Sequence, residues 1–414
     1  MDRILVERRV RSMTVDFEHL YSDRAKRVVA SEIREILKMM GDPDLISFAG
    51  GIPNPESFPV QAIREIVDKV LIESPIDALQ YGVTEGYAPF RQTLAEYMRP
   101  QGVDCSAENI IVTSGATQII DLCAQILLQQ GRHVITESPS FLASLLDFKS
   151  YGAVIDDIKM DDNGIIVDAL EDQLENLERK NVHPSLLYTI PNFQNPTGVT
   201  MSESRRKKLI DLANDYDFLI LEDDPYGALR FEGETVPPIK AFDDSDRVIY
   251  ASSFSKILSP GMRLGWVVAH PEIIRKLAIM KQTTDVHANM LCQRIADQYV
   301  SGGYLKKQLP VIRELYGRKQ KVMLAALEKY FPKEAKWTHP EGGMFLWATL
   351  PQGIDTHELL PKAVAMKVAY VHGRLFYPNG GGSNEMRLNF THAEDDLITE
   401  GIRRLGGLIS EQLR

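Results

Sequence analysis

Val248-Ile249-Tyr250-Ala251-Ser252-Ser253-Phe254-Ser255-Lys256 sets an unbroken apolar run directly ahead of a turn of small hydroxyl residues that ends on a lysine. A short apolar run with β-branched members suits a strand covered on both faces, so Val248–Ala251 reads as a buried strand. Working outward, the same unit recurs at Asn109–Thr113, His133–Glu137, Val154–Ile158, Leu186–Ile190, Phe218–Glu222 and Leu264–Ala269. Amphipathic stretches lie between them. One is Ser202–Tyr216, whose start Ser202-Glu203-Ser204-Arg205 offers an N-cap residue and an early acid. This alternation predicts an α/β fold: a large domain with a mostly parallel seven-stranded sheet and helices on its faces.

A chain of 414 residues exceeds one small core. Beyond about residue 290 the pattern changes to a long, charge-rich helical stretch, Met290 to Tyr330, followed by Gly342–Leu350 and a mixed segment, which reads as a smaller α+β domain. The expected division is an N-terminal segment over 1–50 packing on the small domain and active site, a large domain over 51–295 and a small domain over 296–414. The N-terminal segment holds one helical pattern, Val28–Met40, closed by Gly41 and Pro43. Gly380-Gly381-Gly382, after Pro378-Asn379, reads as a mobile loop rather than a phosphate loop.

Bulk properties narrow the function classes. A formal net charge of −10 works against a nucleic-acid partner, which would call for a basic face. Cys105, Cys123 and Cys292 are odd in number and scattered, so they provide neither a disulfide framework nor a CxxC knuckle, and a reducing cytoplasm is the expected compartment. The start, Met1-Asp2-Arg3-Ile4-Leu5-Val6-Glu7-Arg8-Arg9, has no apolar stretch of signal-peptide length, and no later window suits a membrane span. The histidines form no HExxH or comparable pair, so no metal is expected.

Ligands of an open parallel sheet bind outside the carboxyl ends of its strands, and those positions are loaded here. Asn109–Thr113 is followed by Ser114-Gly115-Ala116-Thr117-Gln118, a small-residue turn that opens a helix; its free N–H groups suit a phosphate, although a plain β–α turn reads the same. His133–Glu137 is followed by Ser138-Pro139-Ser140-Phe141, which brings an aromatic ring to the rim. Leu186–Ile190 leads into Pro191-Asn192-Phe193-Gln194-Asn195-Pro196-Thr197-Gly198, where Asn195 presents an amide. Phe218–Glu222 leads into Asp223-Asp224-Pro225-Tyr226, an acid and a phenol. Val248–Ala251 leads to Lys256, and Arg263 follows within Gly261-Met262-Arg263-Leu264-Gly265-Trp266. Each part has an ordinary structural reading; the constellation is far more specific.

Pyridoxal 5'-phosphate (PLP) asks for this set: an amine for the Schiff base, an anion at the pyridine nitrogen, donors to the ring oxygen, and cations or N–H groups at the phosphate. Asp223 would keep the pyridine protonated, Asn195 and Tyr226 would hydrogen-bond the ring oxygen, and Phe141 would lie on the ring face. Lys256, among hydroxyl and apolar neighbours that lower an amine's pKa, would carry the cofactor as an aldimine and then move the Cα proton.

Asn195-Pro196-Thr197-Gly198, Asp223-Asp224-Pro225-Tyr226, Ser253-Phe254-Ser255-Lys256 and Gly261-Met262-Arg263-Leu264-Gly265 resemble, in order and spacing, the motifs of class I/II aminotransferases of PLP fold type I. Phe48-Ala49-Gly50-Gly51-Ile52-Pro53 with Phe58-Pro59 is similar to the opening segment of the branch containing 2-aminoadipate and kynurenine aminotransferases. The resemblance runs from about residue 45 onward. It implies a phosphate site at Gly115, Ala116 and Thr117 with Ser253 and Arg263, and a substrate site at Arg387, Asn195 and Gly51. Arg387, in Asn384-Glu385-Met386-Arg387-Leu388-Asn389-Phe390, matches the arginine that grips the α-carboxylate, a task suited to a bidentate guanidinium. Tyr81, in Leu79-Gln80-Tyr81-Gly82, matches a tyrosine that reaches the phosphate across a dimer interface, so a homodimer with shared active sites is implied. Many relatives have a serine where Ala116 stands, a change of little weight if the contacts there are backbone N–H. Between Lys281 and Asn289 no basic residue is assignable as a second carboxylate clamp.

The implied reaction moves an amino group from an L-amino acid to a 2-oxo acid, 2-oxoglutarate being the expected acceptor. The alternative is a PLP-dependent β-eliminating lyase, which begins with the same carbanion. Ser253-Phe254-Ser255-Lys256 also satisfies S-x-x-K, but the SDN and KTG elements of penicillin-binding proteins are missing. A regulator with a fused winged helix would need more residues ahead of about position 45 and a less acidic balance. The preferred donor, and whether the Val28–Met40 segment with Arg27 and Arg34 closes over the substrate, are left open.

Overall fold

The computed structural model describes residues 17–28, 42 and 44–413. Its main sheet contains β1 (Ile110–Thr113), β2 (His133–Ser138), β3 (Val154–Asp161), β4 (Gly164–Ile165), β5 (Leu186–Thr189), β6 (Leu219–Asp223), β7 (Val248–Ser253) and β8 (Gly265–Val268). The spatial order is β1-β8-β7-β6-β5-β2-β3-β4. All seven expected strands are present. The count of seven is corrected to eight by β4, which pairs antiparallel with the end of β3 through only Met160–Ile165 and Asp161–Gly164, too short a run to carry a periodic signal.

The pairs β3/β2, β2/β5, β5/β6 and β6/β7 are parallel. Alternate residues serve opposite faces: Val134, Tyr188, Leu221 and Ile249 belong to one core cluster, and Ile135, Leu187, Ile220 and Val248 to the other. Burial on both sides is why these strands read as continuous apolar runs. The covering helices show the complementary pattern. Val167–Arg179 buries Val167, Leu170, Leu174 and Leu177 along one stripe.

Strand β8 runs antiparallel to both neighbours, with Gly265 opposite Thr113 on one side and Ser253 on the other. Its N-terminal end therefore meets the carboxyl ends of β1 and β7, and Arg263, which precedes a strand rather than following one, joins the same rim. A side chain at Gly265 would not fit: a Cβ there would lie 2.8 Å from Ser252 O and 3.0 Å from the Gly115 carbonyl carbon.

The stretch Met290 to Tyr330 is two helices, Met290–Ser301 and Tyr304–Tyr330. They are parted at Gly302-Gly303, where Gly303 takes φ +75, a left-handed conformation that breaks the helical path. Position 295 lies inside the first. A second sheet joins β9 (Lys336–Trp337), β10 (Phe345–Thr349), β11 (Val371–His372) and β12 (Glu385–Asn389) in the order β9-β10-β12-β11, every pair antiparallel. Near the start of the continuous described chain, Ile46-Ser47 pairs in parallel with Val368-Ala369. Ser202 precedes the helix Glu203–Asp215 as expected, but its hydroxyl caps no backbone N–H.

Candidate active site

The rim of the main sheet and β10 and β12 of the second enclose a cleft of about 270 Å³. Eleven of the thirteen site residues proposed from sequence line it, the exceptions being Gly115 and Tyr81.

At one end, Gly115 (φ +92) precedes the helix Ala116–Leu127, and among the described residues no side chain caps its first N–H groups. These free donors and the positive helix end make an anion cradle. Arg263, itself at φ 50, donates from Nη2 to Ser114 O at 3.1 Å. The guanidinium lies so close to the turn that a Cβ at Gly115 would come within 2.6 Å of Nη2. Ser253 Oγ donates to Leu264 O (3.1 Å) and meets Ser255 Oγ at 2.8 Å.

Across the floor, Asp223 at the end of β6 and Asp224 just past it are adjacent acids with different surroundings. Asp224 is satisfied: it accepts from Asn192 Nδ2 (3.0 Å), Gly227 N (2.9 Å) and Tyr250 OH (3.2 Å). Among the described residues, Asp223, 2% exposed, accepts only from Tyr188 OH, at 2.8 Å on Oδ2, while Oδ1 is buried without a donor. Burial pushes its carboxyl up to about 7, against the pull of Tyr188 and with added repulsion from Asp224.

Lys256 is half-buried, and its Nζ donates to Gly51 O at 2.6 Å. Burial, with Arg387 and Arg263 adding repulsion, brings the amine down to about 8, so its neutral fraction near neutral pH far exceeds that of an ordinary lysine. Arg387, on β12, is a buried cation. Nη1 donates to Asn195 Oδ1 (2.8 Å) and Nη2 to Ala49 O (2.7 Å), both neutral acceptors, and Nε has no partner among the described residues. Its guanidinium lies 4.2 Å from the Phe345 ring centroid, and burial lowers it to about 10. The Tyr226 phenol, pushed well above its ordinary range by burial, meets Phe345 edge-on at 5.9 Å. Phe141 occupies the residue ahead of the helix Leu142–Ser150 and turns toward the same cleft.

A model of the aminotransferase class I and II family matches residues 43–405. The chain is 48% identical over 410 residues to aromatic-amino-acid aminotransferase 1 of Thermococcus litoralis, covering 99% of this chain and 98% of that one. It also superposes with a TM-score of 0.94 on the kynurenine aminotransferase of Pyrococcus horikoshii in complex with PMP, at 46% identity over 97% of this chain and 100% of that one. The chain belongs to the class I and II aminotransferases. A third relative, the α-aminoadipate aminotransferase of Thermus thermophilus bound to N-(5'-phosphopyridoxyl)-L-leucine, gives a TM-score of 0.89 at 36% identity, covering 96% and 99% of the two chains.

This aminotransferase is PLP-dependent, and its donor set fits the cofactor. The uncapped helix end and Arg263 suit the phosphate, and the orphaned Asp223 Oδ1 suits a protonated ring nitrogen. Arg387 lacks any carboxylate partner among the described residues, which suits an anionic substrate. Several contributors escaped sequence reading. Tyr188, the donor to Asp223, sits mid-strand and reads as core. Glu137 is fully buried and accepts from Thr189 Oγ1, Ile190 N (3.3 Å) and Gln194 Nε2 (3.1 Å). Gln194 also donates to Pro139 O (2.8 Å) and accepts from Thr197 N (2.9 Å), so this pair shapes the turn that presents Asn195. Ser255 and Phe345 complete the cleft wall.

Tyr81 is 82% exposed and lies edge-on to His287 at 5.7 Å, outside the cleft of its own chain. Arg27 donates to Gln130 rather than reaching the cleft. Arg34 and the Val28–Met40 helical pattern, apart from Val28 itself, lie outside the described residues. No helix among the described residues is long and apolar enough to cross a membrane.

Proposed function

We propose that this aminotransferase carries PLP covalently on Lys256 Nζ and moves an amino group from an L-amino acid to a 2-oxo acid, with 2-oxoglutarate as the principal acceptor. The observation that carries the reading is the pairing of an orphaned, buried carboxylate at Asp223 with an amine of lowered pKa at Lys256 in the same cleft. The bound cofactor supplies the electron sink for the charge left on the substrate Cα. Asp223 Oδ1 holds the proton on the ring nitrogen. Asn195 and Tyr226 orient the ring oxygen, and Phe141 supports the ring face. Gly115, Ala116 and Thr117 offer backbone N–H groups to the phosphate, joined by the Ser253 hydroxyl and the Arg263 cation. Arg387 grips the α-carboxylate beside Asn195 and Gly51, so that Lys256 Nζ stands ready to take and return the Cα proton.

Aromatic L-amino acids are the proposed donors. Phe141, Ile190 and Phe345 give the cleft apolar walls, and the Thermococcus litoralis relative is named for that class. The proposed assembly is a homodimer in which Tyr81 completes the partner's site. In support, Ile72, Ile76, Leu79, Tyr81 and Val83 are exposed at 56–82% along one segment, an apolar run that a second copy would cover. The division into domains at 51–295 and 296–414, with 1–50 leading in, and a cytoplasmic location remain part of this proposal.

The test is borohydride reduction of the purified chain followed by peptide mapping, with a donor screen against 2-oxoglutarate and pyruvate. A cofactor adduct on Lys256 and oxo-acid formation from aromatic donors are expected. An adduct on another lysine, or release of pyruvate and a thiol without any acceptor, would overturn it.

A further inference from the structure

Lys281 and Asp285 close a hydrogen-bond ring, buried at the lysine and partly exposed at the aspartate, on the turn that precedes the helix Ala116–Leu127. The Lys281 side chain is fully buried, and its three protons are all used: on Asp285 Oδ1 (2.6 Å), Asp285 Oδ2 (2.8 Å) and Gln118 Oε1 (2.9 Å). Asp285 Oδ2 accepts in addition from Ser114 Oγ and from Gln118 Nε2, each at 2.8 Å. Gln118 Oε1 accepts from Ser114 N at 2.8 Å. With Arg263 Nη2 on Ser114 O, every polar group of Ser114 is held.

We propose that Lys281 and Asp285 are positioning residues: a clasp that holds Ser114 and Gln118 so that the intervening N–H groups point at the cofactor phosphate. The inference rests on the assignment of that turn to the phosphate under Proposed function. Lys281 has no proton left for a ligand, so it acts through the turn and not on the phosphate. A buried ion pair is seldom needed for stability, since an apolar pair of the same volume often serves as well. What it supplies is geometry, because each partner accepts only one arrangement of the others. The same bonding removes Lys281 as a clamp for a second substrate carboxylate.

The experiment compares PLP with pyridoxal, which lacks the phosphate, on the full chain after cofactor removal, by titrating absorbance for wild type, Lys281→Met and Ser114→Ala. Wild type is expected to prefer PLP strongly. Lys281→Met is expected to lower that preference by about tenfold to a hundredfold and Ser114→Ala by about fivefold, the worth of charged and neutral hydrogen bonds. Pyridoxal affinity should hold in both variants; the thermal midpoint should hold in Ser114→Ala and fall in Lys281→Met, which leaves Asp285 without its cation. Ser114→Ala, which deletes one half-buried hydroxyl, keeps the test open should Lys281→Met not fold. An unchanged preference in folded variants overturns the clasp, as does equal loss of both ligands, which signals general damage. A wild-type chain that binds both ligands equally would instead overturn the phosphate assignment itself, and the clasp with it.

Discussion

Replacing Arg387 should separate function from stability. The Arg387 residue is 3% exposed, and among the described residues its guanidinium has only the Asn195 and Ala49 oxygens as acceptors. Its fall from 12.5 to about 10 through burial corresponds to roughly 3 kcal/mol disfavouring the charged form. A base pushed down in the folded state carries that cost in full at every pH below 10, and loses it only as pH rises from 10 toward 12.5. At neutral pH, Arg387→Met therefore relieves about 3 kcal/mol while giving up two charge-assisted hydrogen bonds of about 1.5–3 kcal/mol each. The thermal midpoint should fall modestly at most. Function should behave differently: a bidentate grip on a carboxylate is two charged hydrogen bonds, about 3–5 kcal/mol together, or roughly 10²–10⁴-fold in kcat/KM. Arg387→Lys keeps the charge without the fork and should recover only part of this. The assay is single-turnover kinetics of each half-reaction, with amino acid and with oxo acid, beside melting curves. Loss confined to one substrate type would refute the α-carboxylate role, and a collapsed midpoint would show that the buried cation holds the fold instead.

Lys256→Ala should abolish borohydride fixation of the cofactor and cut turnover by about 10²–10⁴-fold, the usual worth of a positioned acid–base group; a fully active variant would remove the mechanism. In the chain stripped of cofactor, Asp223, raised from 3.8 to about 7, should lower stability progressively as pH climbs from 4 to 7, with the cost complete above 7 and about 4 kcal/mol at most. Melting curves of Asp223→Asn should thus match wild type near pH 4 and exceed it near pH 8, with added PLP narrowing the gap; Glu137 and Glu222, both also raised to about 7, leave a residual slope in the variant. A pH-independent gap would count against an orphaned carboxylate. Mixing the inactive variants Tyr81→Ala and Lys256→Ala under conditions of subunit exchange should restore activity, because one site of the mixed dimer has both groups; no recovery despite proven exchange would remove the shared site.

Periodicity and turn chemistry carried much of the architecture. Most of the seven longer strands were legible because burial on both faces leaves short apolar runs, while Val154–Asp161, with only Ile155 and Ile158 buried, showed only at its apolar positions; Lys256, Asn195 and Asp223 were legible because strand ends are where polar residues have few structural uses. The two-residue strand β4 and the break at Gly302-Gly303 were not, since neither perturbs a pattern over enough residues to register. The reversal of β8 was also hidden. An apolar run looks the same in either direction, yet only the antiparallel one brings Arg263 beside Ser114.

Local sequence determined which residue types stand at the ends of which elements, through interactions a few positions long. Only the tertiary structure decided how their hydrogen bonds are filled. Asp223 and Asp224 are chemically alike and adjacent, but Asn192, Gly227 and Tyr250 satisfy one and leave the other with an open oxygen. Lys281 and Arg387 are both buried cations; one meets Asp285, and the other meets two neutral oxygens, Ala49 O lying 338 positions away in the chain. Whether a charged group is satisfied or left open to a ligand depends on partners folding brings from distant segments, and no short stretch of sequence encodes that balance.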